Sequence, residues 1–305
     1  MDKLKQILPP YVKNALERLS DSQLSQLTEI RLRIGKPVYL YIAGSEYAVS
    51  DFGIGKNDGI VFSKTDAAVM WRRLCEGAPY SCTEKQRQGY ITVEGNRIGF
   101  CGEFAFVEGE IKHIDAVSSF CVRISHQIKG CGNKVYKYLF ENNRPVNTLI
   151  ISPPGCGKTT LLRDIARLLS GDGFNVAIAD EREEIAAVID GVPTLDVGKR
   201  TDVFSGCPKA AAIQNMVRSI RPDVIIADEL GTAGDAQAIK KAMTEGVAVI
   251  STAHGNAPER TVRRLGVSFE RYILLDNSFG IGTVSGVYEE NMKRTGSFPL
   301  CCKES

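Results

Sequence analysis

An apolar run, Asn147–Ser152, leads straight into Ser152-Pro153-Pro154-Gly155-Cys156-Gly157-Lys158-Thr159-Thr160, and the periodicity predicts an amphipathic helix over Lys158–Ser170. Few short segments restrict a fold so tightly. A strand, a glycine-rich turn and a helix N-terminus in this order wrap backbone N–H groups around an anion, where the helix dipole favours negative charge. Gly155 and Gly157 let the backbone curl close to that anion. Lys158 would reach the β- and γ-phosphates of ATP, and the Thr159 hydroxyl would ligate Mg2+. Pro154, Cys156 and Thr160 complete the predicted cradle. The phosphate-loop pattern has glycine where this chain has Ser152, a departure that leaves the Gly-Lys-Thr chemistry intact.

Such a loop needs a carboxylate site beside it. Val224-Ile225-Ile226-Ala227-Asp228-Glu229 is an apolar strand that delivers two acids at its C-terminal end, where open parallel sheets bind ligands. Asp228 would orient the metal and its waters, and Glu229 would polarise the attacking water as general base. Two more polar clusters follow apolar runs: Asp180-Glu181-Arg182-Glu183-Glu184 after Phe174–Ala179, and Ser251-Thr252-Ala253-His254-Gly255 after Val247–Ile250. Glu181 could act on the water or metal, and His254 could donate to the γ-phosphate. Local sequence leaves the alternatives open: the charge run also reads as a solvated face, and His254 as a structural histidine. Cys156 sits at a helix N-terminus, which can lower a thiol pKa and make it redox-sensitive, but a small residue in a variable loop position is the simpler reading.

The chain has two textures. Residues 1–127 read as an α+β domain: an amphipathic helix over Pro10–Leu19, short β-like runs at Ile30–Ile34, Pro37–Ile42, Gly59–Phe62, Tyr90–Val93, Asn96–Phe100 and Cys121–Ile124, and a helix over Lys64–Cys75. Gly95-Asn96 is expected to take positive φ in a hairpin turn. Residues 128–305 alternate strands with helices, the signal for a parallel sheet. Helices are expected over Pro208–Ile220 and Thr232–Glu245, with Arg271–Asp276 and Ile281–Tyr288 as edge strands.

Composition narrows the function classes. There are 16 basic and 15 acidic residues up to residue 127, and 22 and 21 after it, so neither half is a basic arm. With no aromatic-basic stripe along the sequence, strong nucleic-acid binding is not expected. No apolar run approaches the roughly 20 residues of a membrane span, and the N-terminus lacks the apolar core of a signal peptide. The nine cysteines are odd in number and scattered without a Cys-x-x-Cys pair, including Cys82 and the adjacent Cys301 and Cys302. They read as reduced cytosolic thiols.

These clusters, in this order, resemble the stage III sporulation protein AA family of endospore-forming bacteria, which is similar to the RecA-like ATPases of type II and type IV secretion and pilus machines. The resemblance spans nearly the whole chain. It runs through Ile30-Arg31-Leu32-Arg33-Ile34-Gly35-Lys36-Pro37, Gly89–Val93, Ser118–Gly130, Ile151–Leu162, Asp180–Ala187, Gly191–Val203, Cys207-Pro208-Lys209 and Arg221–Gly231. It implies an α/β, RecA-like P-loop NTPase domain with a mostly parallel central sheet, preceded by a smaller α+β domain. Secretion ATPases carry an acidic box and a histidine box flanking the phosphate loop, and Asp180-Glu181 and His254 occupy the matching places.

The resemblance further implies a homo-hexameric ring in which arginines of the N-terminal domain or of a neighbouring subunit touch the phosphates. Arg123, Arg31, Arg33, Arg97 and Arg200 are the candidates. The implied role is a Mg-dependent ATPase in the mother-cell cytoplasm, docked at the forespore membrane on membrane proteins of the stage III sporulation A operon and powering a secretion-like or channel complex. The competing reading is a RecA-like ATPase acting on single-stranded nucleic acid, which predicts stimulation by single strands and a steep salt dependence.

Overall fold

Alternating burial along extended segments organises the N-terminal unit, Met1–His126. The computed structural model describes residues 1–56, 59–75, 89–107, 110–296 and 298. Seven strands, β1 (Leu27–Arg33), β2 (Tyr39–Ile42), β3 (Ser45–Ser50), β4 (Gly53–Gly55), β5 (Tyr90–Val93), β6 (Asn96–Val107) and β7 (Glu110–Arg123), pair antiparallel in the order β4-β3-β2-β1-β7-β6-β5. Helices α1 (Asp2–Ile7), α2 (Pro10–Glu17), α3 (Asp21–Ser25) and α4 (Lys64–Cys75) accompany the sheet. Pro10 starts α2 where its missing N–H costs nothing, and Val12, Ala15 and Leu16 form the buried side. They join Ile30, Leu32, Met70, Phe100, Phe120 and Val122 in one core. The opposite sheet face carries the polar residues of the alternation.

Three expectations change here. Gly59–Phe62 contributes only an isolated bridge between Val61 and Pro37, not a strand. The hairpin turn places positive φ on Glu94 (50°) and Gly95 (75°) rather than on Asn96. Asn96 instead opens β6, and its amide ties the turn to the segment after β7, donating to the Val93 carbonyl and accepting from the Ser125 N–H. The strands β6 and β7 also run much longer than their apolar cores suggest. Bulges at Cys101/Gly102 and Glu103/Phe104 break the alternation that marks a strand in sequence.

The second unit, Gln127–Ser305, is a three-layer α/β/α sandwich. Its main strands are β10 (Thr148–Ser152), β11 (Val176–Asp180), β14 (Thr201–Ser205), β15 (Val224–Ala227), β16 (Ala248–His254), β17 (Arg271–Asp276), β18 (Thr283–Glu289) and β19 (Arg294–Thr295). Two short hairpins, β8–β9 (Phe140–Glu141, Arg144–Pro145) and β12–β13 (Val188–Ile189, Val192–Pro193), stand apart. The sheet order is β14-β11-β15-β16-β10-β17-β18-β19, parallel from β14 to β17 and antiparallel beyond.

The parallel strands are buried on both faces, which explains their near-continuous apolar runs. Ile150, Ile178, Ile226 and Ile250 meet helix α6 (Lys158–Gly171), with α5 (Asn133–Tyr136) alongside. Leu149, Ile151, Ile225 and Val249 meet α7 (Lys209–Ser219) and α8 (Ala233–Thr244) on the other side, and α9 (Pro258–Leu265) follows β16. The segment predicted as an edge strand, Arg271–Asp276, is interior, because β18 and β19 extend the sheet past it. The connection leaving β10 carries α6 on one face of the sheet, whereas the connection leaving the adjacent β16 carries α9 on the other, so the two diverge between β10 and β16. In open α/β sheets the ligand crevice lies outside the carboxyl ends at such a switch point. No helix among the described residues is long and apolar enough to cross a membrane.

Candidate functional site

The loop after β10 has the backbone that its glycines predict. Gly155 (φ 75°) and Gly157 (φ 79°) are both left-handed, and Gly157 is the N-cap of α6. The first helical N–H groups therefore point into the loop rather than at a side-chain cap. Ser152 is fully buried and does not take positive φ, so this position needs no glycine here. Its hydroxyl accepts from Lys158 Nζ at 3.1 Å. The amine also donates to the Pro153 carbonyl (3.2 Å) and meets His254 Nδ1 at 3.1 Å, so all three ammonium protons are engaged. Burial lowers the Lys158 pKa, against the opposing pull of Asp228, Cys156 and Glu229. Cys156 is itself buried, 1% exposed, under the loop. Cys82, Cys301 and Cys302 lie outside the described residues.

The neighbouring strands bring the acids to the same end of the sheet. Thr159 Oγ1 donates to Asp228 Oδ2 at 2.6 Å, so the residues expected at the metal already touch. Thr252, at the end of β16, donates to the other Asp228 oxygen and accepts from the Glu229 N–H at 2.7 Å. Glu229 is left-handed (φ 44°), an uncommon state for a residue with a Cβ. The structure holds it there from several sides. Lys209 Nζ donates to its carbonyl at 2.7 Å, His254 Nε2 lies 3.4 Å from Oε1, and Arg182 pairs with Oε2. Because Nδ1 of His254 faces an ammonium, the ring proton belongs on Nε2, toward Glu229. A carboxylate has about four lone-pair positions, so these two donors orient Glu229 and leave it able to accept from a water.

The acidic box divides by direction. Asp180 points inward, 2% exposed, and its two oxygens accept from the amides of Glu184, Ile185 and Ala186 at 2.9–3.1 Å. Burial raises its pKa despite those amides. The loop they fix turns the carbonyls of Glu184 and Ile185 onto Arg163 of α6, a guanidinium 1% exposed, each at 2.6 Å. Glu181 points outward and meets Lys209 at 3.4 Å, and it lines one small cleft together with Asp228 and Arg182. Lys209, 6% exposed, also lies 4.0 Å from Asp235 at the start of α8.

Thus Lys158, Thr159, Asp228, Glu229 and His254 form one bonded cluster, with Glu181 at its margin. Pro154, Gly155, Cys156, Gly157 and Thr160 belong to the loop and its helix. Arg200 does not join them within its own chain. It precedes edge strand β14, at the amino end of the sheet, with its amide bound to Ser170. Arg31, Arg33, Arg97 and Arg123 lie in the N-terminal sheet. The residues that local sequence reading missed are Thr252, Lys209 and Arg182. Thr252 stood inside a cluster flagged for its histidine. Arg182 stood in a charge run indistinguishable from a solvated face, and Lys209 in a helix start that gave no sign of burial.

Among the described residues no group of three or more His, Cys, Asp or Glu side chains could hold a metal ion by itself. Thr159 and Asp228 offer a hydroxyl and one carboxylate at the loop, and magnesium binds through one or two carboxylates and leaves its other positions to phosphate and water.

Comparison with known proteins places this geometry. Solved structures with the same fold include the ATPase DotB of Legionella pneumophila (18% identical, TM-score 0.56, covering 88% of this chain and 76% of that one). A second is the pilus retraction motor PilT with bound ADP (16%, TM-score 0.53, covering 83% and 68%). At these identities the likeness concerns the RecA-type fold of secretion ATPases. The stage III sporulation protein AA of Bacillus subtilis (strain 168) is 35% identical over 317 aligned residues, covering 99% of this chain and all of that protein. The family profile described as "Sporulation stage III, protein AA" matches residues 1–295, and the chain belongs to that family.

Proposed function

We propose that this protein is a Mg-dependent ATPase that powers a secretion-like or channel complex during endospore formation. The observation that carries the reading is the contact of Thr159 with Asp228 at 2.6 Å, beside a glycine loop, with Glu229 and His254 bonded into the same cluster. The loop amides, the α6 N-terminus and Lys158 would hold the phosphates of ATP, and Thr159 and Asp228 would hold magnesium. Bound there, the ion supplies Lewis-acid stabilisation to the phosphate oxygens. Lys158 exchanges its contacts to Ser152, Pro153 and His254 for phosphate. Glu229, oriented by Arg182 and His254, accepts a proton from the attacking water. Glu181 sits where it can orient a water at the cleft margin.

The family and the fold support a ring, and we propose a homo-hexamer in the mother-cell cytoplasm, attached at the forespore membrane through membrane proteins of the stage III sporulation A operon. Steady-state assays of purified protein test the chemistry. Mg-dependent hydrolysis of ATP is expected in wild type and its loss in Lys158→Ala and Glu229→Gln. Wild-type turnover in Glu229→Gln would remove Glu229 as general base.

A further inference from the structure

The phosphate loop has two flanks, and only one of them is acidic. Strand β10 lies between β16 and β17 in the sheet, parallel to both. On the β16 side stand Thr252 and His254 and, one strand further, Asp228 and Glu229. On the β17 side, at the same end of the sheet, the chain turns back into β18 through residues 277–282. That turn meets the phosphate loop: a Cβ on Gly157 would lie 3.4 Å from Cγ2 of Ile281 and 3.9 Å from the Cα of Gly282. Phe279 is 64% exposed and Ile281 60%. Two large apolar side chains therefore stand in solvent on one short turn beside the candidate phosphate site. The turn itself is fixed. Thr283, fully buried, donates its hydroxyl to the Gly280 carbonyl at 2.8 Å and accepts from the Phe279 N–H at 3.3 Å. Asp276 Oδ1 accepts from the N–H and the hydroxyl of Ser278, at 3.0 and 2.7 Å. The Gly280 N–H donates to the Asn277 carbonyl at 3.2 Å.

We propose that residues 277–282 are the platform for the base of a bound nucleotide, held by contact with Phe279 and Ile281 rather than by hydrogen bonds to the edge of the base. The inference rests on the nucleotide reading of the phosphate loop and extends it to the part of the ligand that the loop does not hold. A nucleoside triphosphate whose terminal phosphate meets Lys158 and the acids runs its ribose and base off the opposite flank, toward the turn. An aromatic ring and a branched aliphatic chain give a purine a face to lie on and apolar surface to cover. The hydroxyls of Ser278 and Thr283 are engaged within the turn, so they do not read the base. Such a site discriminates weakly, because strong rejection requires buried polar groups that the wrong ligand leaves unpaired. Adenine and guanine nucleotides are therefore expected to bind alike.

Calorimetric titration of the full chain with Mg-ADP, Mg-GDP and inorganic pyrophosphate separates the base from the phosphates. Wild type is expected to bind ADP and GDP within about tenfold of each other. Phe279→Ala/Ile281→Ala is expected to weaken both nucleotides about tenfold or more and to leave pyrophosphate affinity unchanged, which shows the phosphate loop still folded. Phe279→Tyr keeps the ring and should bind like wild type. Lys158→Ala tests the reading beneath and should lose nucleotides and pyrophosphate together. Normal nucleotide binding by the double variant, or a preference above about a hundredfold for one purine, overturns the platform and leaves the phosphate site standing. An equal loss of pyrophosphate in the double variant would make the turn a brace for the loop and would overturn it as well. If wild type binds neither nucleotide nor pyrophosphate, the phosphate site itself falls, and the platform with it.

Discussion

Lys158 shows how much a single residue reveals in sequence and what it withholds. Its place after Gly157 announces a phosphate ligand, but its resting contacts are visible only in three dimensions. Buried against Ser152, Pro153 and His254, its amine titrates below its ordinary value of 10.5. Phosphates would favour the charged form, so nucleotide binding should take up a proton wherever the free amine is partly neutral. Affinity for ADP is therefore expected to fall as pH rises through that lowered pKa, below the ordinary lysine range. Calorimetry in buffers of different ionisation enthalpy would detect the proton uptake, and a flat pH profile would count against it. Arg182 presents the reverse case. Nothing in its charge run marks it, yet it holds Glu229 Oε2. If it acts through Glu229, Arg182→Gln should lower kcat about tenfold or more with little change in KM. Adding Arg182→Gln to Glu229→Gln should then cost nothing further, because residues that act as a unit are not additive. Additive losses would assign Arg182 a separate role.

At the level of elements, the apolar parallel strands were legible because burial on both faces leaves little room for polar residues. Asn147–Ser152 and Val224–Glu229 were placed on the correct strands and at the correct ends. Strand β14 (Thr201–Ser205) escaped because it is an edge strand of mixed polarity, half-exposed along its length. The sheet order was equally hidden: local periodicity carries no information on which strands neighbour one another, and it is β16, between β10 and β15, that brings Thr252 and His254 to the acids. Asp180 is an element-scale device as well. It ends β11 and shapes the following loop through amides, and that loop in turn receives Arg163 from α6. Asp180→Ala removes the acceptor from buried N–H groups and is expected to destabilise the second unit by roughly 3 kcal/mol, read as the midpoint of urea unfolding. The sign with pH follows from the raised pKa. The protonated carboxyl contributes fully below about its ordinary 3.8, and the contribution declines as pH rises through the elevated value. The gap between wild type and Asp180→Ala should therefore narrow with rising pH, and a gap that widens would refute the burial argument.

For the whole molecule, the candidate cluster is incompletely enclosed by its own unit. The side chains of Arg182, His254 and Glu229 remain 42%, 37% and 26% exposed, whereas phosphoryl transfer gains most from a site that excludes water. A neighbouring subunit laid over the carboxyl ends of the sheet would complete the enclosure, and a head-to-tail contact of that kind closes into a ring when the rotation permits. Binding that favours the assembled state must shift the assembly equilibrium by mass action. Glu229→Gln, which should bind ATP without turning it over, is therefore the variant in which the ring would persist. Light scattering is expected to show the monomer mass without nucleotide and the mass of a hexamer in Glu229→Gln with Mg and ATP, returning toward monomer when ADP replaces ATP. Lys158→Ala, unable to hold the phosphates, should stay monomeric throughout. A monomer mass for Glu229→Gln under saturating ATP would mean that nucleotide does not drive assembly, and the exposed cluster would then have to be closed by a different partner.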